Sequence, residues 1–366
     1  MKFFFLRNQL FNKMTSRLVK VTLYSKELAS VVDVDRFVEA LSKKCLGAEI
    51  KFISKSNTIA EFDHIAKLKS PATFYTDEVV KALQDAEVIV TDPWLVFPIM
   101  DKLPNLKWVQ GSWAGIDGIY KVCDQSKLPP PFIYTRLGGS LTYQLAEYVM
   151  SYILSIERHT IRLHKAQEDK TWGLGEQITY RKLSDLTVGI LGVGDIGSEV
   201  ARVVKTFGMK TWGLVNRDLP KDQRSSNIDE YRLVSGLPEI LANCDYLCNV
   251  LPSTSKTKGI LSGDALAHCK KKPVFINIGR GDVTTEDSII NAIKNGWISK
   301  AVLDVFEKEP LPKDSLLWTM PEVIITPHCG GLTLDYSIAE TFADNYQRYI
   351  SGKPLKYVIE DWARGY

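Results

Sequence analysis

Cysteine is scarce: Cys45, Cys123, Cys244, Cys248, Cys269 and Cys329 are the only six among 366 residues. None has the C-x-x-C spacing of a zinc site, and six in a chain this long is no disulfide scaffold. The chain is therefore read as an intracellular protein with reduced thiols and no metal. Cys244 and Cys248 bracket an apolar, strand-like run, and alternate positions in such a run suit a buried sheet. Net charge is also small, at +3 from 46 basic and 43 acidic residues. No Lys/Arg run is interleaved with aromatics, so nucleic acid is not an expected partner. No apolar run approaches the roughly 20 residues needed to cross a bilayer, so the chain is expected to be soluble, with no membrane partner.

The apolar stretch from Phe3 to Leu6 is stopped by Arg7 and Asn8, too short for a secretory core. Acidic residues are missing before Glu27, while Lys2, Arg7, Lys13, Arg17, Lys20 and Lys26 recur among apolar residues. Residues 1–17 are read as a leader. The pattern is compatible with a mitochondrial presequence and equally with a plain leader or an upstream start, given the second methionine at Met14. Cytoplasmic location is expected, with mitochondria as the alternative.

What is present is a repeated alternation of short apolar runs and helical periodicity, with length for two cores. Strand-like runs fall at 18–24, 48–53, 87–91, 107–110 and 132–135, with Phe37, Val38 and Leu41 on one face of an intervening helix. Two glycines at 138 and 139 then mark a boundary, and Ser140 is placed to cap a long helix. On that helix Leu141, Leu145, Val149, Ile153 and Ile156 form a stripe, and Arg158, Arg162 and Lys165 gather toward the C-terminal end, where the dipole favours cations. The stripe could pack on its own domain or on a partner subunit. Six further buried-type strands follow at 187–191, 210–215, 245–251, 273–278, 300–304 and 323–326. The expected fold is α/β with two doubly wound parallel sheets. The remaining C-terminal stretch is too short for a domain, so it should return to the first unit.

The first strand of the second set runs directly into Gly192, Gly194 and Gly197 in G-x-G-x-x-G spacing, followed by a helical run through Val200, Val203 and Val204. In that context the glycines give a tight turn, a close backbone approach to a pyrophosphate, and helix-on-strand packing. The second strand ends at Val215, Asn216 and Arg217, without the acid that usually holds an NAD ribose. Asn216 can hydrogen-bond a sugar or phosphate oxygen, and Arg217 can meet a 2′-phosphate. NADP(H) is therefore expected to be preferred, with NAD(H) as the alternative.

Downstream, in order, stand Arg280, Glu309 and His328. A guanidinium is a planar fork that matches a carboxylate and can polarise an adjacent ketone. An imidazole can exchange a proton near neutrality, and a carboxylate beside it favours the imidazolium. Together with the dinucleotide cradle, this set points to hydride transfer onto a 2-oxo acid.

The motifs carrying these residues are Ile-Asn-Ile-Gly-Arg-Gly at 276–281, Leu-Asp-Val-Phe-Glu-Lys-Glu-Pro-Leu-Pro at 303–312, Leu-Trp at 317–318 and Ile-Thr-Pro-His at 325–328. With the cradle, they make the chain resemble the D-isomer-specific 2-hydroxyacid dehydrogenases over nearly all of 18–366. Among these it is most similar to glyoxylate/hydroxypyruvate reductases, including the Trp318 run and the closing residues 363–366. The resemblance implies a Rossmann NAD(P)-binding domain at 138–331 inserted in a flavodoxin-like substrate domain at 18–137 plus 332–366, with a cleft between them that closes on the substrate. It implies that Arg280 grips the substrate, that His328 is the acid/base and that Glu309 is its partner. Asp304 would accept a hydrogen bond from the nicotinamide carboxamide, and Asp195, Ile196, Leu251, Pro252 and Ile278 would line the cofactor. The loop of Trp113, Ala114 and Gly115 would receive the substrate carboxylate through backbone N–H groups. Trp113 either narrows the pocket toward short acids or packs against Trp94. Cys329 departs from the aliphatic residue usual there and is read as packing. A homodimer is implied, using the nucleotide-binding domain and the helix after Ser140. The activity implied is NADPH-dependent reduction of glyoxylate or hydroxypyruvate. The alternatives are a reductase of larger 2-oxo acids and a nucleotide-sensing, corepressor-like interaction protein.

Overall fold

A computed structural model describes residues 19–24, 39, 41–45, 48–52, 77–172 and 179–362. Residues 1–17, Phe37, Val38 and the closing residues 363–366 lie outside the described residues, and with them the readings placed on them. The chain divides into two compact units, one of residues 1–140 and 333–366, the other of residues 141–332.

The first unit carries a five-stranded sheet built from β1 (Val19–Tyr24), β2 (Ala48–Phe52), β3 (Val88–Thr91), β4 (Trp108–Gly111) and β5 (Ile133–Thr135). Every pairing is parallel, and the order β2-β1-β3-β4-β5 is the flavodoxin-like one. Every residue of β3 and β4 is buried, the polar Thr91 and Gln110 included, as in a parallel sheet covered on both faces. Helices α1 (Asp77–Leu83) and α2 (Asp117–Val122) follow in chain order. The C-terminal helix (Asp335–Ile350) packs on this sheet, with the Phe342 ring stacked on Trp108 at 5.2 Å and Tyr346 fully buried beside it. Leu41 is buried in the same core.

The second unit opens with two helices, α3 (Thr142–Glu157) and α4 (Thr160–Glu168). One long helix was expected here. The chain breaks at His159, which takes a left-handed φ of 53°, so Arg162 and Lys165 belong to α4. Leu145, Val149 and Ile153 are buried against Val200, Ala201 and Val204 of the same unit, which accounts for the apolar stripe. Ser140 does not cap the helix: Leu141 occupies that place with no side-chain bond, and the Ser140 hydroxyl is buried without a partner among the described residues.

The sheet of this unit has seven strands where six were expected. They are β6 (Thr187–Leu191), β7 (Lys210–Val215), β8 (Glu230–Leu233), β9 (Tyr246–Asn249), β10 (Val274–Asn277), β11 (Lys300–Leu303) and β12 (Val323–Ile325). The order β12-β11-β10-β9-β6-β7-β8 is all parallel. It contains the doubly wound dinucleotide-binding arrangement, which reverses direction at β6. The additional strand is β8, an edge strand of Glu-Tyr-Arg-Leu with no fully buried residue. Edge strands carry charge and lack the apolar run that reveals central ones. Cys244 and Cys248 are fully buried as expected, and burial pushes both thiols up to about 12. Helices α5 (Asp195–Thr206), α6 (Leu237–Asn243) and α7 (Glu286–Lys294) cover the sheet, and α8 is the C-terminal helix already described.

Candidate active site

The cradle forms where β6 meets α5. Gly192 takes a φ of 105°, a conformation L side chains rarely adopt. A Cβ on Gly197 would lie 2.0 Å from the Gly192 carbonyl oxygen, so only glycine lets the helix start this close to the strand. A Cβ on Gly194 would meet nothing within 4 Å among the described residues, which leaves room there for a ligand. Gly194 is the N-cap of α5, and the N–H groups of Asp195, Ile196 and Gly197 have no carbonyl one turn back within the helix. Such a helix end receives an anion well. At the neighbouring strand end Leu251 lies against Gly192, and its N–H donates to Asn249 Oδ1 at 3.3 Å, with Pro252 next. Ile278 is buried in the core of the unit. These features fit a pyrophosphate-linked dinucleotide.

Asn216 and Arg217 are exposed just beyond β7. Asp218, the nearest carboxylate in sequence, pairs with Arg224 at 2.8 Å. No ion pair among the described residues engages Arg217.

Arg280 leaves the carboxyl end of β10 in a turn stitched by two buried asparagines. Asn277 Oδ1 accepts from Asn249 Nδ2 at 2.8 Å and from the Gly279 N–H at 3.2 Å, while Asn277 Nδ2 donates to the Arg280 carbonyl at 3.2 Å. The guanidinium donates back to the Gly279 carbonyl at 2.9 Å. A Cβ on Gly281 would stand 1.9 Å from the Phe306 carbonyl carbon, so the Arg280 turn and the loop leading to Glu309 touch backbone to backbone.

Glu309 and His328 meet directly. His328 Nδ1 lies 2.8 Å from Glu309 Oε2, and Glu309 Oε1 accepts the Phe306 N–H at 2.9 Å. The hydrogen bond to Glu309 raises the His328 pKa; burial and the Arg280 charge oppose that, and the charges of Glu309 and Asp304 add to it. Burial works to raise the Glu309 carboxyl, but His328, the Phe306 N–H and Arg280 together hold it below the usual carboxylate range. Arg280 is thus near enough to act electrostatically on both. The arrangement can hold a proton on an imidazole beside a fixed cation.

Asp304, just past β11, is almost fully buried and accepts from the Thr326 hydroxyl, the Cys329 N–H and the Gly330 N–H. Cys329 itself is exposed, contrary to the packing role expected. An extended segment would have pointed its thiol to the side opposite the His328 ring, but His328 has a φ of 53° and the chain turns there.

In the first unit, Trp113, Ala114 and Gly115 lie between β4 and α2, all partly exposed. The Trp113 ring meets Trp94 edge-on with centroids 5.0 Å apart, the packing alternative of the two expected. The loop is anchored by bonds that sequence reading missed. Ser112 Oγ donates to the buried Asp92 at 2.5 Å, the Ser112 N–H donates to the Thr91 carbonyl at 2.9 Å, and the Trp113 carbonyl accepts the Leu137 N–H at 2.8 Å. Asn249, Asn277 and Thr326 were missed as well, their sole signal a polar residue at the end of an apolar run, and Tyr148, inside helix α3, gave none.

Residues 150–330 match the model of the D-isomer-specific 2-hydroxyacid dehydrogenase NAD-binding domain. A glyoxylate/hydroxypyruvate reductase B from Serratia proteamaculans is 36% identical over 283 residues, covering 75% of this chain and 85% of the relative. The chain belongs to the D-isomer-specific 2-hydroxyacid dehydrogenases. The structural comparison agrees over nearly the whole length. A member of the family from Aeromonas salmonicida superposes with a TM-score of 0.75 at 28% identity, covering 93% of this chain and 99% of that one. An NADPH-dependent glyoxylate/hydroxypyruvate reductase from Sinorhizobium meliloti, solved with NADP and sulfate, gives 0.72 at 26% identity, covering 95% and 100%. As a member of this family, the protein is an oxidoreductase that uses a nicotinamide dinucleotide. Among the described residues no helix is long and apolar enough to cross a membrane.

Proposed function

We propose that this dehydrogenase reduces small 2-oxo acids, glyoxylate and hydroxypyruvate foremost, to D-2-hydroxy acids, with NADP(H) preferred over NAD(H). The observation that carries the reading is the His328–Glu309 pair within reach of the Arg280 charge. The names of the Serratia and Sinorhizobium relatives support the substrate class.

When bound, the reduced dinucleotide supplies the hydride. Arg280 grips the substrate carboxylate with its planar fork and polarises the neighbouring ketone. Because Nδ1 faces Glu309, Nε2 is the ring nitrogen left to serve the substrate. It releases its proton to the ketone oxygen as the carbonyl pair moves there, and the neutral ring, still held by Glu309, takes a proton back from solvent. The backbone of Trp113, Ala114 and Gly115 receives the carboxylate. Gly192, Gly194, Asp195, Ile196, Gly197, Leu251, Pro252 and Ile278 hold the dinucleotide, and Asp304 has acceptor capacity left for a carboxamide. Asn216 and Arg217 take the 2′-phosphate. Assembly as a homodimer is proposed from the family resemblance alone, and a mass measurement in solution tests that.

The experiment for the reaction is NADPH oxidation by the purified protein across glyoxylate, hydroxypyruvate, pyruvate and phenylpyruvate. The short polar acids should be turned over best. Equal or better turnover of phenylpyruvate would replace this reading with a reductase of larger 2-oxo acids.

A further inference from the structure

His328 stands in a left-handed conformation, with φ of 53°. A non-glycine residue persists there only where its surroundings fix it. What fixes it is visible on both sides. Two residues earlier, Thr326 Oγ1 donates to Asp304 Oδ1 at 2.6 Å; immediately after, the N–H groups of Cys329 and Gly330 donate to Oδ1 and Oδ2, each at 2.9 Å. The His328 N–H closes the turn onto the Thr326 carbonyl at 3.0 Å. One almost fully buried carboxylate thus grips the chain before and after the acid/base.

The grip continues into helix α3. Tyr148 Oη lies 2.7 Å from Thr326 Oγ1, and since the single threonine proton is committed to Asp304, the phenol is the donor. Burial pushes the Tyr148 phenol far up, so it keeps that proton throughout the working range. The same corner is tight at Gly330, where a Cβ would fall 2.9 Å from Asp304 Oδ2 and 3.1 Å from the Tyr148 ring and would displace the carboxylate.

We infer that Tyr148, Thr326 and Asp304 are positioning residues of the reaction: their hydrogen-bonded chain fixes the left-handed turn that presents His328 to Glu309. The inference deepens the proposed function and rests on it for the role of His328. A displacement of about 1 Å at a reacting group can cost roughly a hundredfold in rate, so the chain matters to turnover although Tyr148 and Thr326 need touch neither substrate nor cofactor.

The test compares Thr326→Val, Thr326→Ser and Tyr148→Phe with the unmutated protein by three readouts. These are kcat and KM with glyoxylate, NADPH affinity from quenching of tryptophan fluorescence, and titration of the His328 ring by NMR, assigned with His328→Gln. The charges acting on that ring are Glu309, Arg280 and Asp304. Thr326→Val should lower kcat by about 10- to 100-fold, leave NADPH affinity within about twofold, and move the His328 titration to lower pH as its contact with Glu309 loosens. Thr326→Ser, which keeps the hydroxyl, should restore all three, and Tyr148→Phe should fall between. The inference is overturned if Thr326→Val leaves both kcat and the titration unchanged, if kcat falls only in step with NADPH affinity, or if serine is as impaired as valine. Should the unmutated protein turn over no 2-oxo acid, the proposed reaction fails, while the titrations alone still decide whether the chain positions His328.

Discussion

Nδ1 of His328 lies 2.8 Å from Oε2 of Glu309, and the second oxygen of that carboxylate is held by the Phe306 N–H. Neither partner can turn away without abandoning a bond. The pair therefore leaves Nε2 as the ring nitrogen turned from Glu309 and raises the pKa of the ring above that of free imidazole.

The first prediction concerns pH. In the proposed reaction reduction consumes the imidazolium, and the His328 pKa is raised, chiefly by Glu309. The reductive rate should hold past the unperturbed histidine value of about 6.5 and fall as pH rises through the raised one, while the oxidative rate, which needs neutral imidazole, should rise there. Glu309→Gln removes the charge and weakens the acceptor, so the alkaline limb of reductive kcat should move to lower pH. A limb that stays in place in a pH–rate profile would show that Glu309 does not tune His328.

Arg280→Lys keeps a positive charge but loses the planar fork. It should lower kcat/KM for glyoxylate by about 100-fold or more, with unfolding unchanged because Arg280 is only partly buried. Steady-state kinetics and thermal melts measure both. Retention of more than about half the activity would indicate that a point charge suffices.

Arg217→Ala tests cofactor choice. With no ion pair engaging this side chain among the described residues, its removal should cost little stability. Efficiency with NADPH should fall by about 10- to 100-fold, while efficiency with NADH changes by less than about threefold. Equal losses with both would assign Arg217 to something other than the 2′-phosphate.

Gly281→Ala places a methyl group where the Phe306 carbonyl already is, 1.9 Å from the new Cβ. Backbone must move. Chemical unfolding should show a loss of about 1–3 kcal/mol, accompanied by reduced kcat because the Arg280 turn shifts against the Glu309 loop. An unaltered stability would mean that the two segments separate at no cost.

Much of this was legible in the sequence because parallel α/β folds bury whole strands. Runs such as 188–191 and 274–276 carry no polar side chain, and Gly192, Gly194 and Gly197 follow one of them directly. Arg280 and His328 stand just past the ends of β10 and β12, where α/β sites form, whereas Glu309 lies in the loop after β11. Strand β8 was hidden because an edge needs no apolar run. The break at His159 was hidden because a left-handed residue other than glycine leaves no compositional mark. Asp304 was singled out, but not its hold on Thr326, Cys329 and Gly330, since hydrogen bonds between separate strand ends have no sequence period. Cys329 was misjudged because the chain turns at His328, where an extended segment was assumed.

The most direct measurement is NADPH oxidation by the purified protein with glyoxylate and with hydroxypyruvate, run beside His328→Ala. The unmutated protein should oxidise NADPH in proportion to the 2-oxo acid supplied and yield the D-2-hydroxy acid, and His328→Ala should be slower by about 100- to 10,000-fold while remaining folded. Absence of oxidation with either acid, or oxidation undiminished in His328→Ala, would contradict the account.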